Sequence, residues 1–210
     1  MTERHPSISA HKIVQLSPKD YCQSETFFEP YRSEIVTLFQ LKPTPLHSNN
    51  NTALFHHYHT LITSTSSTSS IAVHIRRGDF VSTGNAVPLS YYVDGITYFN
   101  SVFKNPTFFI FSDEILTPKD KEKLGLEKNF CYVEGLNSAI MDFELMTICS
   151  HGLIGNSTFA WWAVYLMKNR DKIVLAASPN LQNIWSPYFR WQYKYLYYPV
   201  SWRKIEVKYE

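Results

Sequence analysis

The sequence predicts an α/β fold built on a parallel, Rossmann-like sheet, and two patterns carry that prediction. Beyond residue 70, short apolar runs of strand length alternate with segments of helical periodicity, as in consecutive strand–helix–strand units. Several of these apolar runs end in polar or charged residues. Open parallel sheets bind ligands at the carboxyl ends of their strands, so this edge is the place to look for a site.

The first predicted strand, Ile71–Arg76, opens the most informative segment, V-H-I-R-R-G-D. Strand alternation places His74 and Arg76 on one face. A permanently charged guanidinium beside a hydrogen-bonding ring suits a nucleotide diphosphate. Surface ion pairs are the alternative role for the two arginines. An integrin-type use of Arg-Gly-Asp is disfavoured, because the triplet directly follows an apolar strand.

A second predicted strand, Thr107–Phe111, is followed by Asp113. A carboxylate at that edge can accept two parallel hydrogen bonds from the Watson–Crick edge of guanine. Capping of the next helix, predicted from Pro118, is an equally good role for Asp113 or Glu114.

A strand at Leu153–Ile154 and an apolar helix at Phe159–Lys168 enclose the polar turn Asn156-Ser157-Thr158. Backbone N–H groups and the helix dipole make such a turn an anion site, and the hydroxyls of Ser157 and Thr158 add donors. A plain N-cap is the alternative. Glycosylation of this sequon is disfavoured, because it lies between two apolar elements.

The remaining elements follow from apolar spacing and helix start signals. They comprise five helices at Glu25–Leu41, about Phe55–Ile62, Ser90–Phe103, Pro118–Leu124 and Ala139–Ser150, and two strands at Phe130–Val133 and Lys172–Ala176.

The Ser/Thr-rich stretch Thr60–Ser70 predicts a linker. It divides the chain into residues 1–70 and residues 71–210, the latter a ligand-binding domain. The aromatic tail Ile184–Glu210 is expected to wrap across the sheet or toward another lobe.

Composition excludes several classes of protein. The 210 residues carry a net charge of +2 without a basic block, which argues against a nucleic-acid partner. No apolar run approaches the ~18 residues of a membrane span, and the first residues lack the apolar core of a signal peptide. Three scattered cysteines suit a reducing compartment. We therefore expect a cytoplasmic location, or peripheral contact with the cytoplasmic membrane face.

Three motifs together resemble those of the α-1,2-fucosyltransferases of glycosyltransferase family 11. They are V-H-I-R-R-G-D-F from Val73, F-S-D ending at Asp113, and D-F-E-L-M-x-x-C-x-H-G-L-I-x-N-S-T-F-A-W-W from Asp142. Tyr21–Ser24 followed by Phe27-Phe28 also resembles a family segment. The resemblance runs from about Asp20 to about Ala177, in the family's order.

The resemblance implies a GT-B fold and an inverting transfer of L-fucose from GDP-fucose to the 2-hydroxyl of a β-galactoside-terminated glycan, without a cofactor. By similarity, Arg76 holds the β-phosphate and His74 and Asp113 contact guanine. Ser157 and Thr158 support the phosphates.

The resemblance also assigns Arg77 and Asn156 to donor binding, with less specific roles. Asp79, Asp142 and His151 match family positions as well. The catalytic base is unassigned, and Asp79 is the carboxylate nearest the phosphate motif. Helix capping or an ion pair is an adequate role for Asp142, and a structural role is the commoner one for a histidine such as His151. The chain has no Asp-x-Asp sequence, in agreement with metal independence.

One departure from the family concerns the acceptor lobe. The glycine-rich G-G-L-G-N-Q-M-F segment is absent, and all seven glycines lie at Gly78 or later. The expectation is an incomplete N-terminal acceptor lobe joined to an intact donor lobe. A non-catalytic GDP-sugar-binding remnant and a fucosyltransferase with a different acceptor are therefore the alternatives.

Overall fold

A computed structural model describes residues 24–25, 29–39, 50–65, 69–125, 129–178 and 197–207. Its centre is one sheet of six strands in the order β3-β2-β1-β4-β5-β6, and every neighbouring pair is parallel. The strands are β1 (Ser70–Ile75), β2 (Thr107–Ser112), β3 (Phe130–Tyr132), β4 (His151–Ile154), β5 (Val174–Ala177) and β6 (Arg203–Ile205). The α/β, Rossmann-like fold prediction is confirmed.

Strand order reverses in the middle of the sheet. The chain runs outward from β1 through β2 to β3, and it then returns to place β4 on the other side of β1. In a doubly wound sheet this reversal opens a crevice at the carboxyl edge between the two central strands. Here the paired residues nearest that edge are His74 and Ile154, so the crevice opens immediately beyond them.

Helices cover both faces of the sheet. A short 3₁₀ turn (Glu29–Tyr31) leads into the first helix. The helices are α1 (Arg32–Leu38), α2 (Asn50–Ser64), α3 (Gly78–Ser82), α4 (Leu89–Val102), α5 (Pro118–Lys123), α6 (Ala139–Ile148) and α7 (Thr158–Tyr165).

Strand alternation sorts the core into two layers. Val73 and Ile75 of β1 pack in the layer that holds α4, whereas Ala72 packs in the layer that holds α2, α6 and α7. All six residues of β1 are buried, as expected for a central parallel strand covered on both faces. His74 and Arg76 therefore face the α6 and α7 side, as the alternation predicted.

Helix α2 belongs to the same core as the sheet. Phe55, Tyr58 and Ile62 are buried in the α6–α7 layer. The hydroxyl of Tyr58 lies 3.1 Å from the carbonyl oxygen and 3.2 Å from the backbone nitrogen of Glu134. The stretch predicted as a linker from Thr60 is helical as far as Ser64. The division at residues 70 and 71 stays a prediction, but α2 on its upstream side packs directly on the downstream domain.

Two predicted boundaries need correction. Among the described residues of the helix predicted over Glu25–Leu41, α helix covers Arg32–Leu38; Pro30 lies in the preceding 3₁₀ turn, and proline has no N–H for the helix ladder. Helix α6 ends at Ile148 rather than at Ser150, because Cys149 has extended backbone (ψ 160°). Other boundaries coincide with the prediction or shift by at most three residues, apart from α2, which begins five residues before the predicted start.

The sequence patterns missed α3 and β6. Helix α3 is a single turn directly after the arginine pair, too short to show periodicity. Strand β6 has three residues and lies in the aromatic tail, where Tyr197, Tyr198 and Trp202 are buried against the α7 layer. Residues 184–196 of the tail, and Tyr21–Gln23 and Phe27-Phe28 upstream, lie outside the described residues. Among the helices that are described, none combines the length and apolarity needed to cross a bilayer.

Gly95 lets α4 approach β4 closely. A Cβ atom there would lie 2.4 Å from Cδ1 of Leu153, and that leucine is fully buried. We expect Gly95→Ala to lower the free energy of unfolding, because overpacking a rigid core costs about 1–3 kcal/mol and the gain in helix propensity is about 1 kcal/mol. Urea unfolding measures this. Asn100→Ala, at an exposed position of the same helix, is the control and should not destabilise; a Gly95→Ala protein as stable as the parent would contradict the close approach.

Candidate functional site

A cavity of about 470 Å³ lies at the carboxyl edge of the sheet. The residues that follow β1, β2 and β3 form one wall, and the starts of α6 and α7 contribute Asp142 and Phe159. Of the residues predicted to bind a nucleotide, His74, Arg76 and Asp113 line it. The volume falls within the roughly 300–1,000 Å³ of small-molecule sites.

Arg76 follows the last residue of β1, and both terminal nitrogens of its guanidinium meet a carboxylate. Nη2 lies 2.5 Å from Oδ1 of Asp79, and Nη1 lies 3.0 Å from Oδ2 of Asp113. The ring of Phe80 lies beneath the guanidinium, with its centroid 5.3 Å from Cζ. Two charge-assisted contacts and one ring contact thus orient the Arg76 guanidinium at the mouth of the cavity.

Asp113 is fixed through both of its oxygens. Oδ1 accepts a hydrogen bond of 2.7 Å from the backbone N–H of Arg77, and Oδ2 contacts Arg76. Gly78 makes room for it, because a Cβ atom at that position would lie 2.4 Å from Oδ2. Helix α5 is capped by Thr117 and Asp120 instead, so neither Asp113 nor Glu114 performs the capping role that the sequence left open.

His74 is buried in the cavity wall and only 5% exposed. Its ring lies 5.5 Å from the ring of Phe159. Desolvation is the main cause that lowers its pKa to about 4, and the positive charge of Arg76 lowers the pKa further, against the opposing effect of Asp113. The imidazole is therefore neutral at pH 7. Its Nδ1 is buried and has no hydrogen-bond partner in the described part of the chain.

Asp142 is the cavity residue to which the sequence patterns gave no specific role. It lies in the first turn of α6, and burial raises the pKa of its carboxyl to about 6. Its Oδ1 is buried without a hydrogen-bond partner among the described residues. In the sequence, the only indication of a role for Asp142 was its position as the first residue of the third motif. The sequence could not show that α6 begins next to the cavity.

Arg77 points away from this cavity. Its guanidinium lies 3.8 Å from Oδ1 of Asp120 and lines a second cleft of about 620 Å³ between α4 and α5. Only its backbone N–H, through Asp113, supports the site around Arg76.

The Asn156-Ser157-Thr158 turn lies beside the end of β1, because Ile154 pairs with His74. The side-chain amide of Asn156 donates to the carbonyl of Asn85 at 2.9 Å and ties the loop after α3 to this turn. Ser157 occupies the N-cap position of α7 without a side-chain capping bond. None of the three lines the 470 Å³ cavity, although the next residue, Phe159, does.

His151 has a structural role. It begins β4 at the opposite, amino edge of the sheet. There its Nδ1 accepts a hydrogen bond of 2.8 Å from the backbone N–H of Ile173, and its ring lies 4.5 Å from that of Phe103.

No group of three His, Cys, Asp or Glu side chains within the described ranges is arranged to hold a metal ion. Metal independence stays a prediction, to be tested with a chelator.

Comparison with known proteins identifies the chain's relatives. The family model described as Glycosyl transferase family 11 matches residues 3–197. An alpha-1,2-colitosyltransferase of Escherichia coli is 38% identical over 53% of this chain and 41% of its own length. The O-antigen biosynthesis glycosyltransferase WbnK of Escherichia coli is 29% identical over 74% of this chain and 52% of its own. The galactoside alpha-(1,2)-fucosyltransferase 2 of Rattus norvegicus is 28% identical over 84% of this chain and 49% of its own.

The chain thus spans about half the length of the curated relatives it matches. Among solved structures, fucosyltransferase NodZ from Bradyrhizobium is similar with a TM-score of 0.41 and 16% identity, over 68% of this chain and 60% of that one.

His74 and Asp142 titrate in the same pH range with opposite effects on stability. The folded pKa of Asp142, about 6, lies above its ordinary 3.8, so its stabilising proton is lost as pH rises through 6. The folded pKa of His74, about 4, lies below its ordinary 6.5, so its contribution is lost as pH falls below 6.5 toward 4.

We therefore expect Asp142→Asn to gain stability relative to the parent as pH rises from 4 to 6.5, and His74→Gln to gain relative stability as pH falls over that range. Urea unfolding of the three proteins at four pH values measures both effects. Curves that stay parallel would contradict the two environments described above.

Proposed function

Because the chain belongs to glycosyl transferase family 11, we propose that it binds GDP-fucose in the 470 Å³ cavity and transfers the fucose to a glycan hydroxyl. The proposal rests mainly on the position of Arg76. Its guanidinium lies where the strand order of the sheet reverses, and both of its terminal nitrogens contact acidic groups. An oriented guanidinium of this kind binds the oxygens of a diphosphate through charge-assisted hydrogen bonds.

At the phosphate end of the cavity, the protein stabilises the leaving group electrostatically. As the bond between the sugar C1 and the β-phosphate oxygen breaks, negative charge grows on that phosphate. Arg76 neutralises it directly. Ser157 and Thr158 lie beside the cavity rather than in its lining, so the N-terminus of α7 supports the phosphate through its helix dipole. These fixed groups supply the charge that a metal ion supplies elsewhere, so metal independence is part of the proposal.

At the base end, we assign Asp142 and His74 to guanine. A carboxylate can accept hydrogen bonds from N1–H and the 2-amino group together, one on each oxygen, and Oδ1 of Asp142 has no partner among the described residues. Both oxygens of Asp113 are engaged by Arg76 and Arg77, so Asp113 serves better as a positioning residue than as the guanine acceptor predicted from the motif. His74 offers its buried Nδ1, to which no described residue hydrogen-bonds.

The transfer is inverting in this proposal: the acceptor oxygen attacks C1 from the face opposite the leaving diphosphate and loses its proton. The base that accepts the proton is unassigned, with Asp79 as the nearest carboxylate to Arg76. The GT-B arrangement and a β-galactoside as acceptor belong to the same proposal, as does a location in the cytoplasm or at the cytoplasmic membrane face.

A second donor, GDP-colitose, is favoured by the colitosyltransferase relative at 38% identity. The two other readings, a binding protein without transfer and a transferase with a different acceptor, are separated by one assay. Incubation with labelled GDP-fucose and lactose gives labelled trisaccharide only if a galactoside is the acceptor. Labelled free fucose without trisaccharide indicates a transferase with a different acceptor, and neither product indicates a protein that only binds the donor.

We expect calorimetry to detect GDP binding, and we expect Arg76→Ala to weaken it about 10- to 100-fold, because a hydrogen bond to a charged group contributes roughly 1.5–3 kcal/mol. Arg170→Ala, which removes one exposed positive charge elsewhere, should bind like the parent. EDTA should change neither affinity. A folded Arg76→Ala protein with parental affinity would remove this residue from the site, and a loss in EDTA that Mg²⁺ restores would contradict the metal-free assignment.

The assignment of Asp142 predicts discrimination between GDP and IDP, which differs by the absence of the 2-amino group. The parent should bind IDP about tenfold more weakly, because one charge-assisted hydrogen bond is missing. In Asp142→Asn the two affinities should become similar. Glu144→Gln, two residues further along the same helix, is the control and should keep the tenfold difference. A parent protein that binds GDP and IDP equally would contradict the guanine role of Asp142.

A further inference from the structure

We propose that Asp79 is an exchangeable partner of Arg76 that the donor's β-phosphate must displace, whereas Asp113 is its permanent positioning residue. The proposal rests on the function proposed above and adds a role for a residue whose part in the site was open.

The starting point is that both terminal nitrogens of Arg76 already contact a carboxylate. Nη2 contacts Asp79 and Nη1 contacts Asp113. The guanidinium has five N–H donors, and its two paired edges, Nη1/Nη2 and Nε/Nη2, both include Nη2. A phosphate that binds through two parallel N–H···O bonds therefore competes with Asp79 for the nitrogen that both edges share.

The two carboxylates are held very differently. The Asp113 side chain is 20% exposed, accepts a second bond from the Arg77 backbone, and is enclosed by Gly78. The Asp79 side chain is 63% exposed. Its only side-chain partner in the described part of the chain is Arg76, and the hydroxyls of Ser82 and Thr83 bind its backbone carbonyl instead.

Exposure decides which contact breaks. An exposed ion pair contributes little to stability, because water screens it and holding the side chains costs entropy. Breaking the Asp113 contact would instead leave Oδ2 of a carboxylate that is only 20% exposed without its cation, because Oδ1 is held in place by the Arg77 backbone N–H. Asp79 therefore turns toward water, while Asp113 and Phe80 keep the guanidinium oriented for the phosphate.

This arrangement predicts a gain of affinity on removing an acidic side chain. In Asp79→Asn, and equally in Asp79→Ala, GDP should bind about two- to fivefold more tightly than to the parent, the ratio that corresponds to an exposed ion pair. GMP, which has no β-phosphate, should bind parent and variants alike. Asp113→Asn should bind GDP more weakly than the parent, because Arg76 loses its fixed partner.

Calorimetry with GDP and GMP on the four proteins tests the proposal, with Glu114→Gln as the charge-matched control. Glu114 also borders the cavity, so this variant measures the effect of removing one negative charge alone, and its gain should be smaller than that of Asp79→Asn. Thermal unfolding verifies that each variant is folded.

Two outcomes overturn the exchange. One is GDP affinity in both Asp79 variants that is equal to or weaker than in the parent, which would make Asp79 a permanent positioning residue. The other is an equal gain in Glu114→Gln, which would make the effect general charge repulsion. A parent that binds neither GDP nor GMP would instead contradict the proposed function itself.

Discussion

The reversal of strand order between β1 and β4 is the constraint on which the rest of the site depends. Because the chain leaves β1 in one direction and returns to β4 on its other side, no crossover helix covers the carboxyl edge between these two strands. Arg76 emerges at that opening, and the Asn156–Thr158 turn emerges beside it. A parallel sheet with a different order would bring the same side chains to the edge but would not leave them an open crevice.

The opening has two chemically distinct ends. Around Arg76, charged groups contact one another directly and lie partly in water, so the arrangement is held by partners that a phosphate can replace. His74 and Asp142 each bury a polar atom that has no partner within the described part of the chain, which is costly unless a ligand supplies a hydrogen bond. Desolvation raises the pKa of Asp142 and lowers that of His74, so burial disfavours the charged form of both side chains. A molecule that is anionic at one end and a flat hydrogen-bonding ring at the other matches this gradient.

Much of the fold and half of the site were predictable from the sequence. Alternating strands and helices follow from local apolar spacing, and the alternation within β1 correctly placed His74 and Arg76 on one face. The positions of Arg77 and Asp142 depend on tertiary structure. Arg77 follows Arg76 directly, yet its side chain pairs with Asp120 in the other cleft, and adjacency in the sequence cannot show that.

The role of Asp113 shows the same limit. A carboxylate after a strand was correctly expected at the edge, but its second bond to the Arg77 backbone depends on the close approach that Gly78 permits. That contact links residues 36 positions apart. Strand β6 was missed for a related reason, because three residues carry no period and pair only once β5 is in place.

The most direct measurement of the central claim is a crystal structure of this protein with GDP. The account predicts the β-phosphate within hydrogen-bond distance of the Arg76 guanidinium and the base between His74 and Asp142, in the cavity at the carboxyl edge of β1. GDP bound in the cleft beside the Arg77 side chain, or with its phosphates away from Arg76, would contradict it.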